Sequence, residues 1–97
     1  MFAVIFRAMV GELDGEYTEA IERMKTLAFE EYGCVEFFAL MDGDSRIAIS
    51  YWNSQEDILQ WKLNSEHLRA QSNGKKKWYK SYTVQVVEIK REYSHAT

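Results

Sequence analysis

Residues 1–10 alternate strictly, with Phe2, Val4, Phe6, Ala8 and Val10 on one side and Ala3, Ile5, Arg7 and Met9 on the other. A period of two over β-branched and aromatic residues predicts a strand over Met1–Val10. What constrains the fold is that both of its sides are apolar. The same holds for two later segments. Val35 and Phe37 back onto Phe38 and Leu40, and Ala48 and Trp52 back onto Ile47, Ile49 and Tyr51. A sheet covered by helices on one side only should turn a polar face to water. These strands do not, so each face needs a cover, and a second copy of the chain is the economical one. The expectation is a homodimer whose sheets meet face to face.

Between the strands the period changes to that of a helix. Asp14 can cap a helix whose apolar stripe runs through Tyr17, Ala20, Ile21, Met24, Leu27 and Ala28, and Gly33 ends it. Cys34–Met41 and Arg46–Asn53 read as strands joined at Asp42-Gly43-Asp44, a hairpin signal. Ser54, with Asp57 three residues on, caps a short helix carrying Ile58, Trp61 and Leu63. Asn64-Ser65 interrupts it. A second helical piece starts at Glu66 and carries Leu68, Gln71, Lys75, Trp78, Tyr79 and Tyr82. Thr83–Arg91 closes the chain as a strand, with Val84, Val86 and Glu88 on one face. The order is β-α-β-β-α-β with the second helix broken. It predicts an α+β, ferredoxin-like domain over residues 1–97, an antiparallel four-stranded sheet with both helices on one face.

Composition narrows the function classes. A net charge of −3 argues against nucleic acid as a partner, and the basic run Lys75–Lys77 reads as a solvated helix face. No stretch approaches the roughly 18 apolar residues of a membrane span. Met1–Val10 is too short, and uncharged in front, to read as a signal peptide, so the expected compartment is the cytosol. Cys34 is the only cysteine, which excludes an intrachain disulfide and a thiolate metal cluster. No Ser/His/Asp arrangement, metal-ligand cluster or phosphate-binding glycine loop is present.

Three blocks carry a resemblance. They are Tyr51-Trp52 with Ser54, Glu56, Ile58 and Trp61; Ser65-Glu66-His67 with Ala70-Gln71; and Trp78-Tyr79 with Tyr82, Val84 and Val86. Together with fold order and length they resemble the antibiotic biosynthesis monooxygenase domain family, across nearly the whole chain. The resemblance implies a dimeric α+β barrel built from two ferredoxin-like sheets. It also implies a cavity between sheet and helices that takes a small aromatic or quinol. In the polyketide-oxidising branch Trp52 matches a site tryptophan, but the site asparagine position reads Ala48, which has no hydrogen-bonding group. In the haem-degrading branch Trp61 matches, whereas the iron-ligand position falls near Gln71 and the first-strand asparagine near Phe6 or Arg7. A glutamine amide is a poor iron ligand, so no cofactor is expected, haem included.

The site residues expected on these grounds are Trp52, Trp61, Phe6, Phe38, Gln71 and Trp78 as walls for an aromatic ligand. His67, with an unperturbed pKa near 6.5, is the candidate general base, and Arg7 the candidate partner for a substrate oxyanion. The resemblance implies a cofactor-independent monooxygenase. The alternatives are a non-catalytic ligand-binding or sensory homodimer and a haem-degrading oxygenase.

Overall fold

The computed structural model describes residues 1–64 and 78–97. Along it run β1 (Phe2–Val10), α1 (Gly15–Glu31), β2 (Glu36–Asp42), β3 (Ser45–Trp52), α2 (Gln55–Leu63) and β4 (Tyr79–Glu88). The strands form one antiparallel sheet in the order β2-β3-β1-β4. This is the ferredoxin-like topology, with the β2–β3 hairpin in the middle of the chain and β1 at the centre of the sheet.

Local chemistry sets the boundaries. Asp14 has extended backbone, and its carboxylate accepts the Tyr17 N–H at 3.0 Å, which satisfies one of the free donors of the first turn of α1. Gly33 follows the helix with φ +78°, a left-handed conformation that glycine adopts without a Cβ penalty. The hairpin closes through Gly43, whose φ is +59°. Ser54 Oγ accepts the Asp57 N–H at 3.1 Å and starts α2.

Residues opposite one another in an antiparallel ladder share a face, so the registers divide the sheet into rows. On the helix side the rows are Trp52–Phe2–Glu88, then Phe37–Ser50–Val4–Val86, then Ala39–Ala48–Phe6–Val84, then Met41–Arg46–Ala8–Tyr82. The buried core occupies the first end of this ladder. Val4 and Trp52 pack there against Ala28 and Cys34 and against Ile58 and Trp61 of α2. The outer side carries Ala3, Ile5, Arg7 and Met9 of β1 beside Ile47, Ile49 and Tyr51 of β3. Phe38 (41% exposed) and Leu40 (65% exposed) of β2 extend this apolar face to solvent.

One expectation needs correction. Trp78 is helical, but Tyr79 and Tyr82 do not continue that helix onto a strand starting at Thr83. Tyr79 opens β4, paired with Val10 across a register shift between Met9 and Val10, and Tyr82 sits within it. An aromatic triplet at spacings of one and three fits a helical stripe, but tyrosines also favour strands, and pairing along the whole of β1 decides between them. On α2, Ile58 and Trp61 are buried and Leu63 is exposed. Two residues beyond Trp61 is a turn of about 200°, which points away from the sheet. The helical piece expected from Glu66 lies outside the described residues. Among the described residues, no helix is long and apolar enough to cross a membrane.

Candidate active site

A cavity of about 480 Å³ lies between the sheet and the helices. Its origin is legible in the rows. Past the Trp52 end, the helix-side positions of β3 shrink to Ser50 and Ala48, and in the same two rows β4 contributes Val86 and Val84. These short side chains cannot fill the space that the core tryptophans fill one row away. The volume falls within the range of roughly 300–1,000 Å³ that small-molecule sites occupy. Met24 and Trp61 wall one side, with the Trp61 indole N–H donating to the Met24 carbonyl at 3.3 Å.

The opposite wall is aromatic. Phe6 meets the Tyr79 ring edge-on at 5.2 Å and stacks on Tyr82 at 5.7 Å. Trp78 is held by its indole N–H, which donates to Asp14 Oδ1 at 3.2 Å, and by edge contact with Tyr17 at 5.3 Å. The helix cap and the cavity wall therefore share one carboxylate.

Polar groups on the lining are few. Ser50 is 2% exposed, and its Oγ accepts the Trp52 indole N–H at 2.8 Å, so its own hydroxyl proton is not consumed by that bond. Arg46 and Lys62 are the charged side chains on the described lining, which contains no carboxylate. The Arg46 guanidinium lies over the Tyr17 ring, 5.5 Å from its centroid. Arg46 Nε is enclosed and has no hydrogen-bond partner among the described residues, and the Tyr17 hydroxyl is enclosed near the Tyr79 phenol. Among the described residues, no three of His, Cys, Asp and Glu come together as a metal site.

Burial pushes the Tyr79 phenol well above its ordinary range; the adjacent Tyr17 adds to this and the Arg46 cation opposes it. Tyr79 is thus a neutral hydrogen-bond donor and not a base. The same shift makes a stability prediction. A phenol whose folded pKa is raised contributes stability that is intact below its unfolded value of about 10. That stability is lost as the pH rises beyond that value, because the unfolded chain ionises first. Cys34, also raised by burial, acts in the same direction from about pH 8.5. The urea midpoint is expected to fall on raising the pH from about 9 to about 11, and to fall less steeply in Tyr79→Phe. Equal slopes would remove Tyr79 from this account.

The structure separates the expected site residues. Phe6, Trp61 and Trp78 line the cavity. Trp52 does not, because it is fully buried, with its ring 5.2 Å from that of Trp61, and so it backs the wall without forming it. Arg7 and Phe38 stand on the outer face, since the strand parity that sends Phe6 and Phe37 inward sends their neighbours outward. Arg7 cannot act on a ligand in this cavity from there. His67 and Gln71 lie outside the described residues. Sequence reasoning passed over Arg46 and Ser50. Both share the parity of Ala48 and Trp52 on β3, and that spacing was the available signal.

No protein-family model matches the chain. The chain is 37% identical over 92 residues to the uncharacterised protein YqjZ of Bacillus subtilis, covering 94% of this chain and 81% of that protein. Among solved structures, a variant of SnoaB, a cofactor-independent oxygenase from Streptomyces nogalater, superposes with a TM-score of 0.80 at 12% identity, covering 97% of both chains. A candidate antibiotic biosynthesis monooxygenase of Nitrosomonas europaea superposes with a TM-score of 0.75 at 14% identity, over 92% of this chain and 89% of that one.

Proposed function

The chain belongs to one family with Bacillus subtilis YqjZ and has an antibiotic biosynthesis monooxygenase-type fold, and on that premise we propose that it is a cofactor-independent monooxygenase of small aromatic or quinol-type substrates. The observation that carries this reading is the 480 Å³ cavity, walled by Phe6, Trp61, Trp78 and Tyr79 on a fold shared with a cofactor-independent oxygenase. Such walls hold a planar ring by stacking and edge contacts, and they keep water from it.

The chemistry needs no external reductant if the substrate is an electron-rich phenolate. One electron passes from the phenolate to O₂, and the phenoxyl radical and superoxide combine at a ring carbon that shares the spin to form a C–O bond. Loss of the ring proton and cleavage of the O–O bond then leave a quinone carbonyl and release the second oxygen as water. In sum, phenol and O₂ become quinone and water. The chain has to deprotonate the phenol, orient the ring and stabilise charge. His67 is the proposed base, on the near-neutral pKa of imidazole and its place in the Ser65-Glu66-His67 block. Ser50, the neutral Tyr79 and Tyr82 carry the hydroxyls on the described lining that can hydrogen-bond substrate oxygen. Trp52 is a positioning residue that acts through Trp61.

We also propose that a second copy covers the apolar outer face of the sheet, giving a homodimer with one cavity per chain.

Oxygen uptake over a series of hydroquinones and naphthols tests the activity. The parent is expected to consume one O₂ per quinone formed, and His67→Ala is expected to lose about 10²–10⁴-fold in rate, the usual worth of a positioned base. Equal consumption by both proteins would remove His67 from the mechanism. Ligand binding with no uptake across the series would turn the reading to a binding protein that uses the same cavity without chemistry.

A further inference from the structure

We propose that Arg46 is the anion-binding residue of the cavity and that the ligand class is a planar aromatic anion, its ring against the aromatic wall and its charged oxygen on the guanidinium. The inference rests on the reading of this cavity as the ligand site and adds the charge that the ligand must carry.

Three observations converge on it. First, Arg46 lines the cavity from the row Arg46–Ala8–Tyr82, at the end opposite the Trp52 core, and its guanidinium carbon lies 5.5 Å from the Tyr17 ring centroid, a cation–π contact. A guanidinium seated on a ring keeps its N–H edge available for a bidentate acceptor. Second, Arg46 Nε is enclosed and has no partner among the described residues. An enclosed donor left unsatisfied is costly, and it suits an acceptor that arrives with the ligand. Third, the described lining carries two cations, Arg46 and Lys62, and no carboxylate, so its charge is not balanced within the lining. An anion entering the cavity brings the missing counter-charge to a site partly removed from water, where the pairing is stronger than at an open surface.

The ring has its own place. Tyr82 shares the row of Arg46, two strands away, and Phe6 stands in the next row on β1, stacked on Tyr82, so a ring against Phe6 has its substituent within reach of β3. A neutral ring would fill the wall and leave the Arg46 donor unmet. A small inorganic anion would meet that donor and leave the wall empty. The two halves together select an aromatic anion, either a phenolate or an aryl carboxylate.

Quenching of the tryptophan fluorescence of the full chain by matched pairs of ligands tests this. One arm compares 2-naphthoate with its neutral isostere 2-naphthamide. The other compares 4-nitrophenolate, above its own pKa, with 4-nitroanisole. The parent is expected to bind one or both anions about 10- to 100-fold more tightly than their neutral partners, the worth of a charge-assisted hydrogen bond. The arm that shows the preference identifies the anion type. Arg46→Met is expected to abolish the preference while holding the neutral ligands within about twofold, a change of under half a kcal/mol; Lys62→Met is expected to retain it. Equal affinity of the parent for both members of both pairs overturns the proposal without reference to any variant, as does a preference that survives Arg46→Met. Neutral ligands bound with no preference sink the anion clamp and leave the monooxygenase reading standing. Anion preference without oxygen uptake does the reverse, and failure to bind any of the four sinks both.

Discussion

Replacing Trp52 with alanine is expected to cost about 3–5 kcal/mol of stability, the range found when a large buried aromatic is truncated. Against the roughly 5–15 kcal/mol that holds a typical domain together, this is a large fraction of the whole. Three losses coincide. The side chain is 0% exposed and joins β3 to α2 through Trp61, so truncation opens a hole where two elements meet. Its indole N–H is the donor to Ser50 Oγ, which is itself buried. The Trp61 ring that walls the cavity also loses its backing, so ligand affinity should fall although Trp52 touches no ligand. Trp52→Phe keeps most of the packing and removes the N–H, and is expected to cost about 1–3 kcal/mol, mainly for the unmet Ser50 oxygen. Urea unfolding at one fixed protein concentration measures both. A loss of about 0.5 kcal/mol or less in Trp52→Ala, as for a surface substitution, would contradict the core assignment.

The second large effect concerns the outer face. Ile49→Glu is expected to convert a dimer into monomers at micromolar concentration. Ile49 stands between Ile5 and Phe38 in the middle of that face, with Ile47 and Leu40 in the next row. In a two-fold interface the same patch serves both copies, so one substitution introduces two carboxylates into an apolar contact. Stripping water from each of them costs several kcal/mol. Sedimentation should show the parent at twice the 11.4 kDa chain mass and the variant at 11.4 kDa, with the helix content of the variant unchanged. A parent that sediments only at the chain mass would overturn the homodimer.

Strand parity was the most transferable information in the chain. It placed Phe6 beside Val4 and Ala48 beside Trp52 on one side, and Ile5, Ile47 and Ile49 on the other, and the ladder registers reproduce that division. Carried two residues further along β3, the same rule reaches Ser50 and Arg46, the polar groups of the cavity. They were passed over because a serine and an arginine on a strand read as surface residues until the opposite rows are known. Arg7 was overvalued for the converse reason. A charge in an apolar row looks functional in sequence, but the rule that sends Phe6 inward sends Arg7 outward. The Tyr79–Tyr82 segment was misread because aromatics at short spacing satisfy both periods, and only pairing with β1 separates them.

By itself, then, the sequence determined the element order, the helix caps at Asp14 and Ser54, and an apolar content on both faces of the sheet. These follow from local periods and from side chains reaching their own backbone, which need no knowledge of distant residues. Only the tertiary structure decided that Trp52 is core while Trp61 is wall, that a cavity opens where β3 turns from tryptophan to serine and alanine, and that Arg46 faces it beside Tyr17. Those outcomes depend on which strands become neighbours and on how much volume is left between layers. Volume is a property of the packed assembly: the same alanine leaves a void opposite a valine and none opposite a tryptophan.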